Sequence, residues 1–449
     1  MATPSKNQRV EEAAELFRLG GPLVFTFLCD ISFATVTTIA TSWISPAAVA
    51  AVGLTINFLF FTIAFFFLSL SAITVITAEL AGSGDQAKIG ALLKSGFKLA
   101  LIFCLSAATL ISLLWWSLPL MPLSEEGASL AQHFLGICAW IVPLEFFAFV
   151  FVFASNGLGK TFWVGAINFC AVPILIALTW VLAFGNLGFD AQGVPGVAYA
   201  ILITVAIRSC AFLFLWLQKE FRGLKFLEGT TEAGTNDIWK ILKIGTPLGL
   251  TEISAMASIA VIGVFVSQFG VYSLAAHNIA HNVFLLAHLL IYGLSRATVI
   301  QVGLRVGQGA SRSAIKSLIS TAFFVALLIG CSAAILIFAF AAEIAALYSQ
   351  DTNVVTTLTS LLVFVAILRL LDDCTMILQA SLEGLQRTKA IFQIRTTSHW
   401  FVGLASGYAL SSWLGLFGFW VGIGLSFIYA GCLFGVRLQS ELKLLNGPN

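Results

Sequence analysis

Five carboxylates stand where carboxylates are costly. Asp30, Glu145, Glu252, Asp372 and Asp373 each fall inside an apolar run of about 20 residues, long enough to cross a bilayer. In the stretch GLTEISAMASIAVIGVFVSQFG, residues 249–270, Glu252 is the one ionisable group. A charge buried in hydrocarbon is expensive unless it is paired, protonated or wet. The chemistry open to such a group is cation exchange. Desolvation favours its neutral acid and a neighbouring cation favours its anion, so proton or Na⁺ binding can bias one conformation over another. The competing reading is a structural ion pair. Arg369 stands three and four residues before Asp372 and Asp373 and is expected to pair with one of them. The two point about 100° apart on a helix, so one arginine is not expected to neutralise both. Arg296 is an open partner for Glu252, and Lys160 and Arg208 are open partners for Glu145.

Around these acids lie residues that can line a path for cargo. Phe146 and Phe149 flank Glu145, and an aromatic wall suits amphipathic or cationic molecules. Asn57, Asn168 and Asn282 can line a cavity or bridge helices. Pro143 and Pro173 should kink the helices that carry them and free backbone carbonyls. His277 and His281 share one helix face, but the first is not followed by the Glu of HExxH, so no metal site is expected beyond a possible Na⁺ at Glu252 and Asp372. The eight cysteines all lie in apolar segments and form no CxxC pair, which leaves them as small packing residues. No cofactor is implied beyond H⁺ or Na⁺ as coupling ion.

The elements that must hold these residues are membrane helices. The 449-residue chain is 59% hydrophobic and 10% charged, far too apolar for a soluble surface. Apolar runs predict an all-α membrane protein with spans near 20–44, 50–78, 96–118, 130–155, 162–183, 194–218, 245–269, 275–302, 316–342, 354–382, 391–413 and 416–437. The alternation of a membrane β-barrel is absent. The start, MATPSKNQRVEEAAELFRLGG, is polar and charged, and reads as a surface helix rather than a signal peptide. Of the 23 Lys and Arg, all but Arg208, Arg296 and Arg369 lie in the tails, the even-numbered loops or the helix ends beside them. The positive-inside rule therefore puts both termini in the cytoplasm, in a cell inner or plasma membrane protein. A net charge of +2 gives no reason to expect nucleic acid.

The halves repeat. GGPLVFTF at 20 resembles GTPLGLTE at 245, SPAAVAAVGL at 45 parallels VYSLAAHNIA at 271, AITVITAELAGSGD at 72 parallels RATVIQVGLRVGQG at 296, and FASNGLGKT at 153 parallels QASLEGLQRT at 379. Counting back from the matched Gly157 and Gly384 makes Glu145 and Asp372 symmetry mates. Asp30 and Glu252 both sit on the first span of their half, about one turn out of register. Two parallel six-helix bundles follow, with a substrate path expected between them. The expected organisation is a cytoplasmic N-terminal segment (1–19), an N-lobe (20–218), a cytoplasmic linker (219–244), a C-lobe (245–437) and a cytoplasmic tail (438–449).

These residues resemble a known family. SLAAHNIAHNVFLLAHLLIYGLSRATVIQVGLRVGQG (273–309) is similar to the seventh-to-eighth-span segment of MATE (multidrug and toxic compound extrusion) transporters, and SPAAVAAVGL is its N-lobe twin. GFDAQGVPGVAYAI (188–201), LLDDCTMILQASLEGLQRT (370–388) and HWFVGLASGYALSSWLGLFGFWVGIGL (399–425) extend the resemblance over nearly the whole chain. The resemblance implies the MATE-type fold of twelve transmembrane helices in two pseudo-symmetric bundles, and cation-driven export by switching between outward- and inward-facing states. It carries the family's span-10 carboxylate onto Asp372. The family's span-7 glutamate position is Ala255 here, one turn from Glu252, and its usual span-1 aspartate falls on Val36, six residues past Asp30. The chain reads as a divergent branch.

The expected function is secondary antiport: export of amphipathic organic compounds (drugs, toxins or a self-made metabolite) in exchange for H⁺ or Na⁺, by a monomer in the bilayer. Glu252, Asp372 and Asp373 would bind the driving cation, with Asp30 and Glu145 as a second acidic cluster. The alternative is a flippase of the same superfamily for lipid-linked oligosaccharide or peptidoglycan precursors. It would need intramembrane cations for a pyrophosphate, and Arg208, Arg296 and Arg369 are the candidates. No nucleophile–base pair or metal motif supports an enzyme.

Overall fold

The protein is described by a computed structural model covering residues 6–121, 124–218, 221 and 235–445. Lys219, Arg222 and Lys225 of the expected linker, and the extreme ends of both tails, lie outside the described residues. Every regular element among the described residues is helical. The first half comprises α1 (Lys6–Ile44), α2 (Pro46–Leu70), α3 (Ala72–Gly82), α4 (Gln86–Ser117), α5 (Glu125–Cys138), α6 (Ile141–Gly157), α7 (Thr161–Leu182) and α8 (Val194–Trp216). The second comprises α9 (Thr235–Ser267), α10 (Val271–Gly307), α11 (Arg312–Ala339), α12 (Ala341–Tyr348), α13 (Thr352–Gly384), α14 (Thr388–Thr396), a π-helical segment (Thr397–Leu404), α15 (Ala405–Leu414) and α16 (Leu416–Leu444). Among the described residues, nine helical stretches, with α2 and α3 counted as one, are long and apolar enough to span a bilayer, and two bent pairs add one span each. The expected span 391–413 falls on α14, the π segment and α15 together.

Polar residues at the chain's punctuation cap these helices. The Ser45 hydroxyl accepts from Ala48 N at 3.0 Å with Pro46 in the first turn, Ser124 does the same for Gly127 at 3.0 Å, and Asp351 accepts from Asn353 N at 2.8 Å. The fourth span is not one helix. It breaks between α5 and α6 with a 41° bend, so Pro143 sits in the first turn of α6, where its missing N–H costs little, rather than kinking a continuous helix. The backbone groups at the break stay satisfied locally, through Trp140 N to Ile137 O and Val142 N to Ala139 O, as a non-aqueous setting demands.

The repeat is visible in packing. A Cβ on Gly157 would lie 2.5 Å from Thr74 O, and one on Gly384 would lie 2.7 Å from Val302 Cβ and 2.9 Å from Val299 O. The same crossing therefore joins α6 to α3 and α13 to α10. Gly193 (φ 60°, ψ −131°) and Gly415 (φ 55°, ψ −135°) open the last helix of each half in a conformation that only glycine adopts readily.

The chain divides into two compact units, Phe25–Gly249 and Met1–Val24 with Leu250–Asn449. Both divisions fall inside a helix, α1 and α9, rather than in the 219–244 segment. The start of each first helix thus belongs with the other half. In the unit holding the C-terminal half, Glu12 is buried and accepts from Arg305 Nη1 at 2.9 Å, Ser317 Oγ at 3.0 Å and Thr321 Oγ1 at 2.7 Å. In the other unit, Lys240 Nζ donates to Glu79 Oε2 at 3.2 Å, and Gly245 packs against the Ser69 backbone too closely for any side chain. We refer to the units below as the N-unit and the C-unit.

Candidate functional site

In the N-unit, the break before α6 leaves Glu145 in its first two turns, buried and facing α8. Arg208 of α8 forms a short ion pair with Glu145 through Nη2, and its Nη1 donates to Asn168 Oδ1 on α7 at 3.3 Å. The guanidinium lies over the Phe33 ring of α1, 5.5 Å from its centroid. The pairing is incomplete: Arg208 Nε and Glu145 Oε2 are both buried without a hydrogen-bond partner among the described residues. Asp30, one turn before Phe33, is exposed and carries no hydrogen bond or ion pair among the described residues, although it lies within the fields of Arg208 and Glu145.

In the C-unit, Arg369 is fully buried on α13. It holds both aspartates, against the expectation that it would take only one. Nη2 donates to Asp372 Oδ2 at 2.9 Å and Nε to Asp373 Oδ1 at 2.7 Å, with a further short contact from Nη2 to Asp373. Positions i+3 and i+4 straddle the arginine's own face, and the guanidinium fork reaches both ways. Its face stacks on Phe284 of α10 at 4.6 Å. His288 Nδ1 lies 3.3 Å from Arg369 Nη1 and 3.4 Å from Asp372 Oδ2. Arg395 of α14 approaches Asp372 Oδ1 at 3.8 Å while its Nε donates to Gln379 Oε1 at 2.6 Å. Both Asp372 oxygens therefore face arginine nitrogens, which makes Asp372 a poor Na⁺ ligand, contrary to the sequence expectation. Asp373 Oδ2 packs against Gly330, where a Cβ would come within 2.6 Å.

A second cage lies along the same pair of helices. Arg296 of α10 grips Glu383 of α13 in a bidentate pair, 2.8 Å at each oxygen, over the Tyr292 ring at 5.7 Å. This leaves Glu252 of α9 half-buried with no hydrogen bond or ion pair among the described residues, its charge felt by Arg296. Among the described residues no hydrogen bond or ion pair joins Glu252 to Asp372. Two residues on, Ser254 accepts from Trp400 Nε1 of the π segment at 2.9 Å.

The other sequence candidates separate. Phe146 is fully buried in the N-unit core, edge-on to Phe66, and Phe149 packs on Phe67 at 4.5 Å. Phe146 is a core residue, and Phe149 is partly buried against the same core. Asn168 is an arginine ligand, Asn282 accepts from Tyr348 at 3.0 Å, and Asn57 is exposed. His277 packs edge-on to Trp420. Sequence reasoning missed Glu383, Arg395 and His288. Glu383 escaped because the expected span ended one residue short of it and Arg296 was offered Glu252 as its partner.

Comparison with known proteins agrees with this architecture. The MatE family model matches residues 22–181 and 247–409. Multidrug resistance protein MdtK of Yersinia pestis (strain Pestoides F) is 30% identical over 444 residues, covering 96% of each chain. Among solved structures, a mutant of the Vibrio cholerae MATE transporter VcmN superposes with a TM-score of 0.87 at 18% identity over 98% of each chain. A Pyrococcus furiosus transporter of the MOP superfamily, whose description reports a binding pocket of reverse polarity, gives 0.85 at 18% identity over the full length of both.

Proposed function

The chain belongs to the MatE family of multi-pass membrane transporters, and on that premise we propose that it exports amphipathic organic compounds in exchange for H⁺ or Na⁺, with both termini in the cytoplasm. One observation carries the reading. In each unit the buried acids of the fourth span are held by arginine, and of the five acids inside apolar runs the one on the first span of each half is left over: Asp30 on α1 and Glu252 on α9. A clamped carboxylate is a fixed counter-ion. A free one that reaches water can bind and release a cation, and only a group with different affinity in two states can drive a change between them. Asp30 and Glu252 are therefore assigned the coupling role, with Glu145, Asp372 and Asp373 as the charges that define their surroundings. Phe33 stands one turn after Asp30 on α1, and an aromatic ring there suits an amphipathic cargo with a delocalised charge.

The flippase alternative needs intramembrane cations available to a pyrophosphate. Arg208, Arg296 and Arg369 each hold a carboxylate instead, which supports the exporter.

Dye accumulation in an efflux-deficient cell tests the reading, with and without Na⁺ at fixed pH. Expression should lower accumulation, and the Na⁺ arm identifies the ion. Unchanged dye levels, with binding of a pyrophosphate lipid that is lost on Arg208→Gln or Arg296→Gln, would favour the flippase.

A further inference from the structure

Along α10, Phe284, His288, Tyr292 and Arg296 recur every four residues and so form one stripe. The stripe meets α13 at both ion cages. Phe284 stacks on Arg369, Arg296 grips Glu383, and Tyr292 lies between His288 and Arg296, with ring centroids 6.4 Å from His288. His288 is the one histidine of the stripe, and an imidazole is the side chain built to exchange a proton under physiological conditions. Its side chain is 25% exposed, while those of Arg369 and Asp372 are 0% and 6% exposed, so it is the least buried of the three. It also stands beside a bend: α10 turns by 43° between its Val271–Leu289 and Ile291–Gly307 parts.

The position of Nδ1 is chemically ambivalent. Arg369 Nη1 at 3.3 Å can only donate, and Asp372 Oδ2 at 3.4 Å can only accept. An Nδ1 lone pair can serve only the first and an Nδ1–H only the second. We propose that His288 is a proton-binding residue of the C-unit, which transfers its Nδ1 from Arg369 to Asp372 when it takes up a proton. The neutral ring, protonated at Nε2, accepts from Arg369. Proton uptake at Nδ1 ends that bond, sets two cations against each other and makes the ring a second donor to Asp372 Oδ2. Arg369 is left to the aspartates alone, and the α10–α13 contact is remade beside the bend. The charged groups around the ring are Arg369, Asp372 and Asp373 on α13, Tyr292 and Arg296 on α10, Arg395 on α14 against Asp372, and His399 of the π segment, which senses both Arg395 and Asp372. His288 acts through Arg369 and Asp372 and is a positioning residue for cation exchange.

This inference rests on the exporter reading, and two measurements separate their failures. In purified protein labelled with [15N]histidine, the His288 signals are identified by their loss in His288→Asn. They should change on a pH titration in the way that marks proton uptake at Nδ1. In inverted vesicles, His288→Gln keeps an amide that can serve either partner but cannot titrate. It should retain transport and lose the limb of about tenfold per pH unit that one titrating group imposes on the rate. Ring signals that show no proton uptake at Nδ1 across the titration, or a wild-type pH profile in His288→Gln, overturn the proposal. Wild-type vesicles that respond to no cation gradient would sink the exporter reading, and the ring titration would still decide His288.

Discussion

The two units solve one problem with different parts. The register that carries Gly157 onto Gly384 carries Glu145 onto Asp372 and Asn168 onto Arg395, so both units place an acid on the fourth span and a polar partner on the fifth. The arginine that holds the acid has no such mate. In the N-unit it is Arg208 on α8, and the register set by Gly193 and Gly415 puts Ala430 in its place. In the C-unit it is Arg369, on the same helix as the acid, where the N-unit has Val142. Neutralising the fourth-span acid is thus the shared requirement, and the donor was supplied independently. The outcomes differ in completeness. Arg369 bonds two aspartates and approaches His288, with Asp373 Oδ2 the one cage oxygen left without a partner among the described residues, whereas the N-unit pair leaves both Arg208 Nε and Glu145 Oε2 unused. Every guanidinium nitrogen of Arg369 has a partner, whereas Arg208 keeps a spare donor, Nε, near Asp30.

The strongest test of that contrast removes the arginines. Arg369→Met strands Asp372 and Asp373 and should cost about 3–5 kcal/mol, the usual penalty for breaking a buried pair. Arg208→Met should cost less, about 1–3 kcal/mol, because Glu145 loses a single ion-pair bond. Unfolding in detergent measures both, and equal losses would erase the distinction. Next come the glycines at the shared crossing. Gly157→Ala meets a backbone oxygen and Gly384→Ala meets the Val302 side chain first. Both should destabilise by about 1–3 kcal/mol, with the N-unit variant worse because a carbonyl yields less than a valine. A tolerated alanine at either site would mean the two crossings are not equivalent. The smallest expected effect is on the free acids. Asp30→Asn and Glu252→Gln should shift stability by no more than about 0.5 kcal/mol, as for substitutions away from buried networks. A large loss would mean that each has a structural partner after all.

Much of this was legible in the residues. Apolar runs of bilayer length gave the spans, and the FASNGLGKT and QASLEGLQRT motifs gave a repeat that reappears as the same glycine crossing. The break at Ala139–Trp140 was hidden because both residues are apolar and continue the run. Ion pairing was legible only within a helix, where Arg369 and its aspartates are three and four apart. The Arg208–Glu145 and Arg296–Glu383 pairs join residues 63 and 87 positions apart, which no local spacing encodes. Glu383 also sits where a span boundary separates membrane from loop by one residue. His288 lies in an otherwise apolar stretch, FLLAHLLIYG, and nothing in that stretch announces an arginine from another helix.

The central claim is that the coupling carboxylates are the two without arginine. Gradient-driven uptake of a dye cargo by inverted vesicles, compared with its exchange at equilibrium, tests this most directly in Asp30→Asn and Glu252→Gln. The account predicts that each variant still exchanges cargo but loses at least about tenfold of the gradient-driven accumulation, equivalent to about 1.4 kcal/mol of lost differential cation affinity. Full accumulation in both variants would contradict it.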